Sequence, residues 1–574
     1  MDPRDITTAA RSDLEAWRRE VWEERFERDG FLRSLLRRHL GAGLDACEAE
    51  LKRVAAASGA ELDRLVAEAN RDENLPGLRR HDADGRPQEA VVFHPSNDKA
   101  GRIFWDSGVL ALLGDAGKEV LAGALAYLLD QHGEAGHACP VACTAGAIKL
   151  IQEVGSNEQC ARYLPPLLER DYEKRLHAAQ FVTEIQGGSD VGLNACRAVA
   201  EPGRPGCYRI SGEKWFCSVA DAGLFVVSAR LDGGPDGTKG LGLFLVPRMV
   251  EGRPNGFVLR RLKYKLGTRS LATGEIEFDG ALAEAVGPPE DGFKNLVSIV
   301  LDTSRVHNAL AACGIQRRAL VEAHGYARHR RAFGQAIADF PAVQEILAGL
   351  RLRSLAGLAT TFRLLAMTDR LARREGDDLL AAGRRIGVMI NKYWTSLACT
   401  RSVRDAIEIL GGNGTIEDFS PLPRLYRDAI VLESWEGTHN TLCAQVLRDF
   451  ATRGLHRPWL EQLTAEIAVI EREELREHAA AAKELQQDLT ARVYRLLAEP
   501  PEIASAQIRA LVDRMCRLTD LTALLGQAQW ELDSEGSTAL LPVLAFYRLR
   551  EIERSDPQDH PEIIALNAEV AAEL

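Results

Sequence analysis

Residues 432–441, Leu-Glu-Ser-Trp-Glu-Gly-Thr-His-Asn-Thr, form the most informative segment of the chain. Within it, Glu436 lies between Trp435 and Gly437. A carboxylate beside an aromatic, low-dielectric wall is harder to ionise, which moves its pKa toward the range of a general base. The glycine lets a backbone N–H approach a substrate carbonyl closely. The segment also fits an ordinary helix end or turn, so the prediction of a catalytic carboxylate depends on the rest of the chain.

The sequence around this segment predicts long helices, over residues 292–330, 341–374, 378–410 and 436–452. Pro341 suits the first position of a helix, and the glycines at 411–414 end the third helix. Four helices of this length favour an antiparallel bundle. Residues 455–574 predict further helices, with breaks at Pro500-Pro501 and around Gly536.

In the N-terminal half, the sequence pattern changes once, from one typical of helices to one typical of strands. Residues 1–180 predict helices, with a polar break at 74–87. From about Phe181 to Asp279, short β-rich runs alternate with Gly/Pro turns, which indicates a strand-and-turn domain of about 100 residues. We therefore predict an α+β, mostly α chain with a helical domain at 1–180, a β-sheet domain at 181–285, a four-helix-bundle domain at 286–454 and an appended helical domain at 455–574.

Charge and composition exclude several classes of function. The net charge is −12, and residues 455–574 carry 22 acids against 12 bases. An acidic surface disfavours nucleic acid as a partner. No run of ~18 apolar residues predicts a membrane span, and the N-terminus lacks the apolar core of a signal peptide. The 11 cysteines have no zinc or disulfide spacing, so we expect reduced thiols, no metal site and a cytoplasmic protein.

Two segments of the predicted β domain have hydroxyls, glycines and an aromatic residue. Residues 183–190, Thr-Glu-Ile-Gln-Gly-Gly-Ser-Asp, could cradle a planar ring edge or a phosphate, although Gly-Gly-Ser-Asp is also a common turn. Residues 214–218, Lys-Trp-Phe-Cys-Ser, bring a Trp that could flank a planar cofactor or simply lie in the core. Either segment alone is weak evidence for a cofactor.

Two segments of the predicted bundle could contact a phosphate group. Residues 330–334, Arg-Arg-Ala-Phe-Gly, lie at the end of a predicted helix. Arginine there can bind pyrophosphate, or it can simply interact favourably with the negative end of the helix dipole. Residues 411–414, Gly-Gly-Asn-Gly, otherwise read as a helix C-cap.

In this order and with these separations, the motifs resemble those of the acyl-CoA dehydrogenase family over about residues 100–450. The segments at 70–74 and 93–95, the Gln186-Gly187-Gly188 variant, Trp435 and the extra C-terminal helices are most similar to the subgroup containing the alkylation-response protein AidB. Very-long-chain dehydrogenases also carry an appended helical domain.

The resemblance implies an FAD cofactor and assigns residues to it by matching motif positions. The implied cofactor-binding residues are Val182, Thr183, Gly188, Ser189, Trp215, Ser218, Arg330, Phe333, Gly411, Gly412, Thr438 and Asn440. In the family, the positions matching Arg330, Phe333, Gly411 and Gly412 reach the FAD of a neighbouring subunit, which implies a homo-oligomer, either a dimer or a tetramer.

The resemblance also assigns the substrate site and the reaction. Glu436 matches the base that removes the α-proton of an acyl-CoA thioester, while the β-hydride passes to the flavin. The matching substrate-binding residues are Ser189, Asp302, Arg305 and Gly437. Asp302 and Arg305 are three residues apart on one helix face, where a simple ion pair is an equal alternative. Electron-transfer flavoprotein or a similar acceptor is the implied partner.

Three residues depart from the family pattern. Glu408 and Pro341 each stand where the family usually has a glutamine, which leaves details of FAD affinity open. Trp435 replaces the usual tyrosine beside the base and would reshape the acyl pocket.

Two other functions fit the same motifs. One is an AidB-like flavoprotein with weak dehydrogenase activity in a stress or alkylation response, although the acidic tail disfavours DNA. The other is an acyl-CoA oxidase; a nitroalkane oxidase is disfavoured because it uses Asp as the base.

Overall fold

The computed structural model describes residues 3–23 and 25–572 of the chain. Its helices are α1 (Pro3–Trp22), α2 (Gly30–Leu40), α3 (Gly43–Ala57), α4 (Ala60–Ala69), α5 (Pro95–Asp106), α6 (Glu119–Asp130), α7 (Ala138–Val154), α8 (Asn157–Leu167), α9 (Gly292–Asn295), α10 (Leu301–His329), α11 (Pro341–Ala372), α12 (Asp378–Leu410), α13 (Leu422–Ser434), α14 (His439–Arg453), α15 (His456–Ala468), α16 (Arg476–Ala498), α17 (Pro501–Ser534), α18 (Leu541–Tyr547) and α19 (Glu562–Ala572).

The strands form one large sheet and three small hairpins. They are β1 (Gly77–His81), β2 (Pro87–Val92), β3 (Ala178–Phe181), β4 (Arg197–Ala200), β5 (Cys207–Ser218), β6 (Leu224–Leu231), β7 (Leu241–Pro247), β8 (Met249–Val250), β9 (Arg253–Pro254), β10 (Phe257–Leu262), β11 (Thr273–Ala285), β12 (Arg331–Ala332) and β13 (Gln335–Ala336).

These elements form two compact units. The mixed unit contains Glu61–Lys118 and Glu134–His307, and the helical unit contains the described residues up to Ala60, Glu119–Gly133 and the chain from Asn308 onward. Among the described residues, no helix is long and apolar enough to cross a membrane.

The mixed unit is built on a seven-stranded sheet. Its order is β10-β11-β5-β4-β6-β3, with β7 pairing with both β11 and β6. Strands β6 and β7 are buried along nearly their whole length, whereas β5 alternates between buried and exposed residues because one of its faces meets the solvent. Phe181, Phe225 and Phe278 fill the core beneath the sheet.

The helical unit is built on the long helices α10, α11 and α12. Pro341 occupies the first turn of α11, where its missing N–H costs nothing. The Asp377 carboxylate caps α12 by accepting the Leu380 N–H at 2.8 Å, and Gly411, at φ 60°, ends this helix. The predicted long helices are therefore present at these positions.

The C-terminal helices pack onto the same core as α11 and α12. The apolar face of α17 is buried in that core through Leu511, Met515, Leu518, Leu521 and Leu525. Polar contacts join the same elements. The Tyr393 hydroxyl of α12 donates to Asp513 of α17 at 2.5 Å, and the Arg363 guanidinium of α11 pairs with Glu466 of α15 at 2.8 Å. Helices α15–α19 thus extend the bundle core.

The structure confirms most predicted elements and corrects three of them. Strands β5, β6, β7, β10 and β11 cover the predicted runs, and α17 begins at Pro501 as predicted. The prediction of helices and a polar break before residue 180 missed the hairpin β1–β2. The helices predicted for the bundle did not include α13, which lies between the third and the fourth of them. The helix predicted to begin at 436 begins at His439, because residues 435–438 turn the chain between α13 and α14.

Asp520 of α17 is a buried acid that links three other helices of the bundle. Its carboxylate accepts the Thr360 hydroxyl at 2.6 Å and the Trp394 indole N–H at 2.9 Å, and the Tyr547 hydroxyl lies 3.5 Å away. Burial raises the pKa of Asp520 to about 7, since its hydrogen bonds only partly offset the loss of hydration. The folded protein therefore favours the protonated acid.

This shift predicts a measurable pH dependence of stability. A raised folded-state pKa means that the stabilising contribution is complete below the unfolded value of 3.8 and is lost as the pH rises to about 7. Asp520→Asn mimics the protonated acid, so the variant should gain stability over the wild type as the pH rises through this window, by up to about 4 kcal/mol. Urea unfolding of both proteins at pH 5 and pH 8 measures the difference, and equal differences at the two pH values would contradict the assignment.

Candidate active site

Glu436 lies in the turn between α13 and α14, in a backbone conformation that side chains rarely adopt. The Trp435 N–H closes the end of α13 by donating to the Val431 carbonyl at 3.1 Å. Glu436 then has φ 55° and Gly437 has φ 106°. A glutamate whose backbone lies in the left-handed region is strained relative to glycine, and strained residues of this kind cluster at functional sites. The glutamate side chain is half-buried.

The buried side chain of Lys392 holds this turn from α12. Its ammonium donates to the Glu433 carbonyl at 3.0 Å and to the Gly437 carbonyl at 2.9 Å. The two carbonyls lie on either side of Glu436 in the chain. Lys392 is completely inaccessible to solvent, so its hydrogen bonds to the turn are not shared with bulk water.

The carboxylate of Glu433 ties the start of the turn to the start of α14. It accepts hydrogen bonds from the Thr400 hydroxyl and from His439 Nε2, the latter at 2.9 Å. Burial works to raise the pKa of Glu433, but the hydrogen bonds from His439 and Thr400 and the nearby charges outweigh it and lower the pKa. The carboxylate is therefore ionised and accepts both donors. The imidazole of His439 also packs edge-on against Tyr393, with ring centroids 4.9 Å apart.

In the mixed unit, a buried ion pair organises the loop that contains the predicted cofactor residues 182–189. Lys214 Nζ lies 2.7 Å from the Glu184 carboxylate, and both side chains are almost fully buried. The ammonium also donates to the Val182 carbonyl at 3.1 Å. The Glu184 carboxylate accepts the N–H groups of Ala195 and Cys196 as well. The loop is thereby fixed at Val182 and Glu184, with Ser189 exposed beyond them.

A side chain at position 188 of this loop would crowd Thr183. A Cβ added to Gly188 would lie 3.1 Å from the Thr183 hydroxyl oxygen, closer than ordinary contacts allow, whereas the space around Gly187 is open. The Thr183 hydroxyl therefore lies directly against the loop backbone. Such a loop presents hydroxyl and backbone groups to a ligand at close range.

Strand β5 brings Trp215 and Ser218 to the same loop. The Trp215 N–H donates to the Thr183 carbonyl at 2.9 Å, which joins the two predicted cofactor segments directly. The ammonium of Lys263 lies 3.4 Å from the centroid of the half-buried indole ring and 2.6 Å from the Glu275 carboxylate. The Ser218 hydroxyl pairs with that of Thr273 at 3.2 Å. The aromatic ring is thus held by neighbours in its own sheet.

The hairpin after α10 exposes a large apolar side chain. Strands β12 and β13 are joined by Phe333, at φ 50°, and Gly334, at φ 92°. Positive φ at both central residues makes a tight hairpin turn, which glycine or asparagine usually fills. Phe333 accepts this strain and is 97% exposed, and Arg330 at the end of α10 is also exposed. The ring of Phe333 meets that of Phe340 edge-on, with centroids 6.3 Å apart, and is otherwise open to solvent.

The remaining predicted residues lie at the following positions. Gly411 and Gly412 are exposed at the end of α12, and Thr438 and Asn440 are exposed at the start of α14. Arg305 is buried and Asp302 half-buried on the first turns of α10, directly after a π-helical turn at Leu296–Val300. π-Helical turns often mark functional positions.

The structure adds four residues that sequence reasoning missed as parts of the site: Glu184, Lys214, Lys392 and Glu433. Glu184 and Lys214 lie inside segments 183–190 and 214–218, in which the sequence analysis assigned cofactor binding only to hydroxyl, glycine and tryptophan residues. Lys392 could have been noticed as the single charged residue in the stretch of α12 from Gly387 to Cys399. Among the described residues, no group of His, Cys, Asp and Glu side chains is arranged to hold a metal ion.

Family models match three parts of the chain. "Acyl-CoA dehydrogenase, C-terminal domain" matches residues 290–450, "Acyl-CoA dehydrogenase, middle domain" matches residues 179–281, and "Adaptive response protein AidB N-terminal domain" matches residues 21–174. Together they cover the helical, β and helical regions in the order predicted.

Two relatives are similar to more than two thirds of the chain. Acyl-CoA dehydrogenase family member 11 of Caenorhabditis elegans is 32% identical over 429 residues, which cover 70% of this chain and 68% of the relative. AidB of Escherichia coli is 33% identical over 413 residues, which cover 68% of this chain and 71% of the relative. The crystal structure of C. elegans ACDH-11 in complex with C11-CoA matches with a TM-score of 0.82 and 28% identity, covering 91% of this chain and 90% of that one. The α+β, mostly α fold class is therefore confirmed.

The ion pair beneath the loop gives a stability prediction. Lys214→Met should leave the buried Glu184 carboxylate without its ammonium partner and lower the free energy of unfolding by roughly 3–5 kcal/mol. Adding Glu184→Gln in the same protein should recover much of this loss, because the uncompensated charge is then gone. Thermal and urea unfolding measure both variants against Lys239→Met, whose lysine is exposed in a loop of the same unit. Equal losses in the single and double variants would contradict the ion-pair account.

Proposed function

Because the chain belongs to the acyl-CoA dehydrogenase family, we propose that it is an FAD-dependent enzyme that oxidises the α,β carbon–carbon bond of an acyl-CoA thioester. Glu436 is the catalytic base. The observation that carries the proposal is the conformation of this residue, a glutamate at φ 55° in a turn that Lys392 holds on both sides. Such strain persists only where the surrounding structure maintains it.

The residues of the mixed unit fit a flavin cofactor. The loop at 182–189 offers the Thr183 and Ser189 hydroxyls, and it is joined to Trp215, whose ring can pack against a planar heterocycle. A Cβ at position 188 would crowd the Thr183 side chain, so glycine leaves this part of the loop open. We assign Val182, Thr183, Gly188, Ser189, Trp215 and Ser218 to this group within the subunit. When bound, FAD supplies the acceptor for the β-hydride.

Glu436 carries out the proton step. Its carboxylate removes the α-proton of the thioester, and its backbone N–H donates to the thioester carbonyl oxygen as negative charge develops there. Gly437 gives the substrate close access to the turn. Asp302, Arg305 and Ser189 contact the acyl–pantetheine part of the substrate. The solved C. elegans relative with C11-CoA supports an acyl-CoA as the substrate class.

We propose that the enzyme is a homo-oligomer in which the exposed hairpin contacts a neighbouring subunit. Arg330, Phe333, Gly411 and Gly412 would bind the FAD of that neighbour, while Thr438 and Asn440 bind FAD near the base. Exposure of Phe333 in a strained turn supports this role. Electron-transfer flavoprotein is the proposed electron acceptor, and reduced cysteines favour a cytoplasmic location.

A second candidate is an AidB-like role in an alkylation response. The match of residues 21–174 to the AidB N-terminal domain favours it. The rate of flavin bleaching in anaerobic mixing with a panel of acyl-CoAs distinguishes the two candidates, because a dehydrogenase bleaches rapidly with its substrate whereas the AidB-like alternative has only weak dehydrogenase activity. Reoxidation of the reduced protein by oxygen, compared with an artificial electron acceptor, then separates an oxidase from a dehydrogenase.

The assigned base gives a kinetic prediction. Glu436→Gln is nearly isosteric, so it should retain FAD and fold but reduce the rate of flavin bleaching by an acyl-CoA at least ~100-fold. Stopped-flow absorbance measures the rate, with Glu461→Gln, an exposed site on α15, as the control. Bleaching at the wild-type rate in the Glu436 variant would assign the base to another residue.

The assigned subunit contact gives a binding prediction. Arg330→Ala should weaken FAD binding by roughly 1.5–3 kcal/mol, the value of a charge-assisted hydrogen bond to pyrophosphate. Arg370→Ala, at an exposed position of α11 outside the hairpin, is the control. Fluorescence titration of the apoprotein with FAD measures both, and equal affinity in the Arg330 variant and the wild type would argue against the contact.

A further inference from the structure

Lys392 connects two backbone groups that flank the proposed base. Glu433 contributes one of the last four carbonyls of α13, which have no partner within the helix, and Gly437 contributes a carbonyl of the turn. The ammonium donates to both, at 3.0 Å and 2.9 Å. A single lysine can bond two separated carbonyls because it has three donors on one atom. The same positive charge lies at the negative end of the α13 dipole.

The environment of this ammonium keeps the turn in one conformation. The lysine is fully buried, so breaking either hydrogen bond would leave a charged donor without water. Glu433 is held by both its carbonyl and its carboxylate, since the latter accepts from His439 and Thr400. Lys392 also contributes to the lowered pKa of Glu433, so the two opposite charges offset each other.

The turn requires such support. Glu436 at φ 55° is disfavoured for any residue with a Cβ, and Gly437 at φ 106° follows directly. Without contacts on both sides, residues 434–438 would relax toward right-handed or extended conformations. The direction of the Glu436 carboxylate and of its N–H would then change together.

We propose that Lys392 is a positioning residue, which fixes the carboxylate and backbone N–H of Glu436 in the geometry that proton abstraction needs. The inference rests on the proposed function insofar as Glu436 is the base. It assigns to Lys392 a role that goes beyond folding of α12, because its ammonium donates to two carbonyls of the turn.

The first test compares rate with binding in the FAD-loaded enzyme. Lys392→Met preserves length and removes the donor, so the rate of flavin reduction at saturating acyl-CoA should fall ~30–100-fold. The dissociation constant of a non-oxidisable acyl-CoA analogue should change less than about threefold. Lys392→Gln, which can donate to one carbonyl without a charge, should retain an intermediate rate. Ser396→Ala is the control, since this buried hydroxyl lies one turn along α12 and donates to the carbonyls of Lys392 and Tyr393.

The second test does not depend on turnover. Hydrogen–deuterium exchange over residues 430–442 should rise in Lys392→Met and to a smaller extent in Lys392→Gln, with the segment 411–420 unchanged as an internal reference. The Ser396 variant should match the wild type in both segments.

The outcomes separate this inference from the proposed function. If none of the acyl-CoAs tested reduces the flavin of the wild type, the proposed function fails. The exchange result still decides whether Lys392 holds the turn. A wild-type reduction rate in Lys392→Met, or unchanged exchange at 430–442, overturns the positioning role. If neither lysine variant folds, Lys392 is a folding determinant and the positioning role is rejected.

Discussion

A buried ammonium group must find hydrogen-bond acceptors within the protein, and this requirement shapes the functional segments of both units. Lys214 draws the Val182 carbonyl and the Glu184 carboxylate together, and Lys392 draws together the carbonyls of Glu433 and Gly437. In water each ammonium would be solvated at no conformational cost. In the interior, desolvation makes each missing bond expensive, so the surrounding loop or turn has essentially one arrangement.

The same principle explains how an acidic C-terminal region becomes part of the bundle. Several of its acids contact side chains of α11 and α12: Asp513 with Tyr393, Asp520 with Thr360 and Trp394, and Glu466 with Arg363. Because these carboxylates make contacts within the protein, the net charge of −10 over residues 455–574 overstates the charge at the surface of this region. The apolar face of α17 and apolar residues of the other C-terminal helices lie in the same core.

Positive φ at a non-glycine residue occurs at nine of the described positions, and two of these are positions that we assign to function. Phe333 and Glu436 both adopt positive φ, the former with its ring almost wholly exposed and the latter between two carbonyls held by Lys392. Folding alone would favour glycine at either position. Side chains at such positions persist where their chemistry outweighs the conformational cost, which is the reading we give to the hairpin and to the base.

The sequence by itself determined the order of the elements, the family resemblance and the candidate residues. Alternating strands between turns, long apolar periodicities and Pro or Gly at helix ends are local signals, so β5–β7, α11 and α12 could be predicted from neighbouring residues alone. Local signals failed at the β1–β2 hairpin and at α13. Because α13 was missed, the predicted start of α14 was three residues too early. Only the tertiary structure identified Lys392, Glu433, Glu184 and Lys214 as supports of the site. Their partners lie up to 45 residues away in the chain, and such pairings are decided by packing and desolvation, which no local pattern encodes.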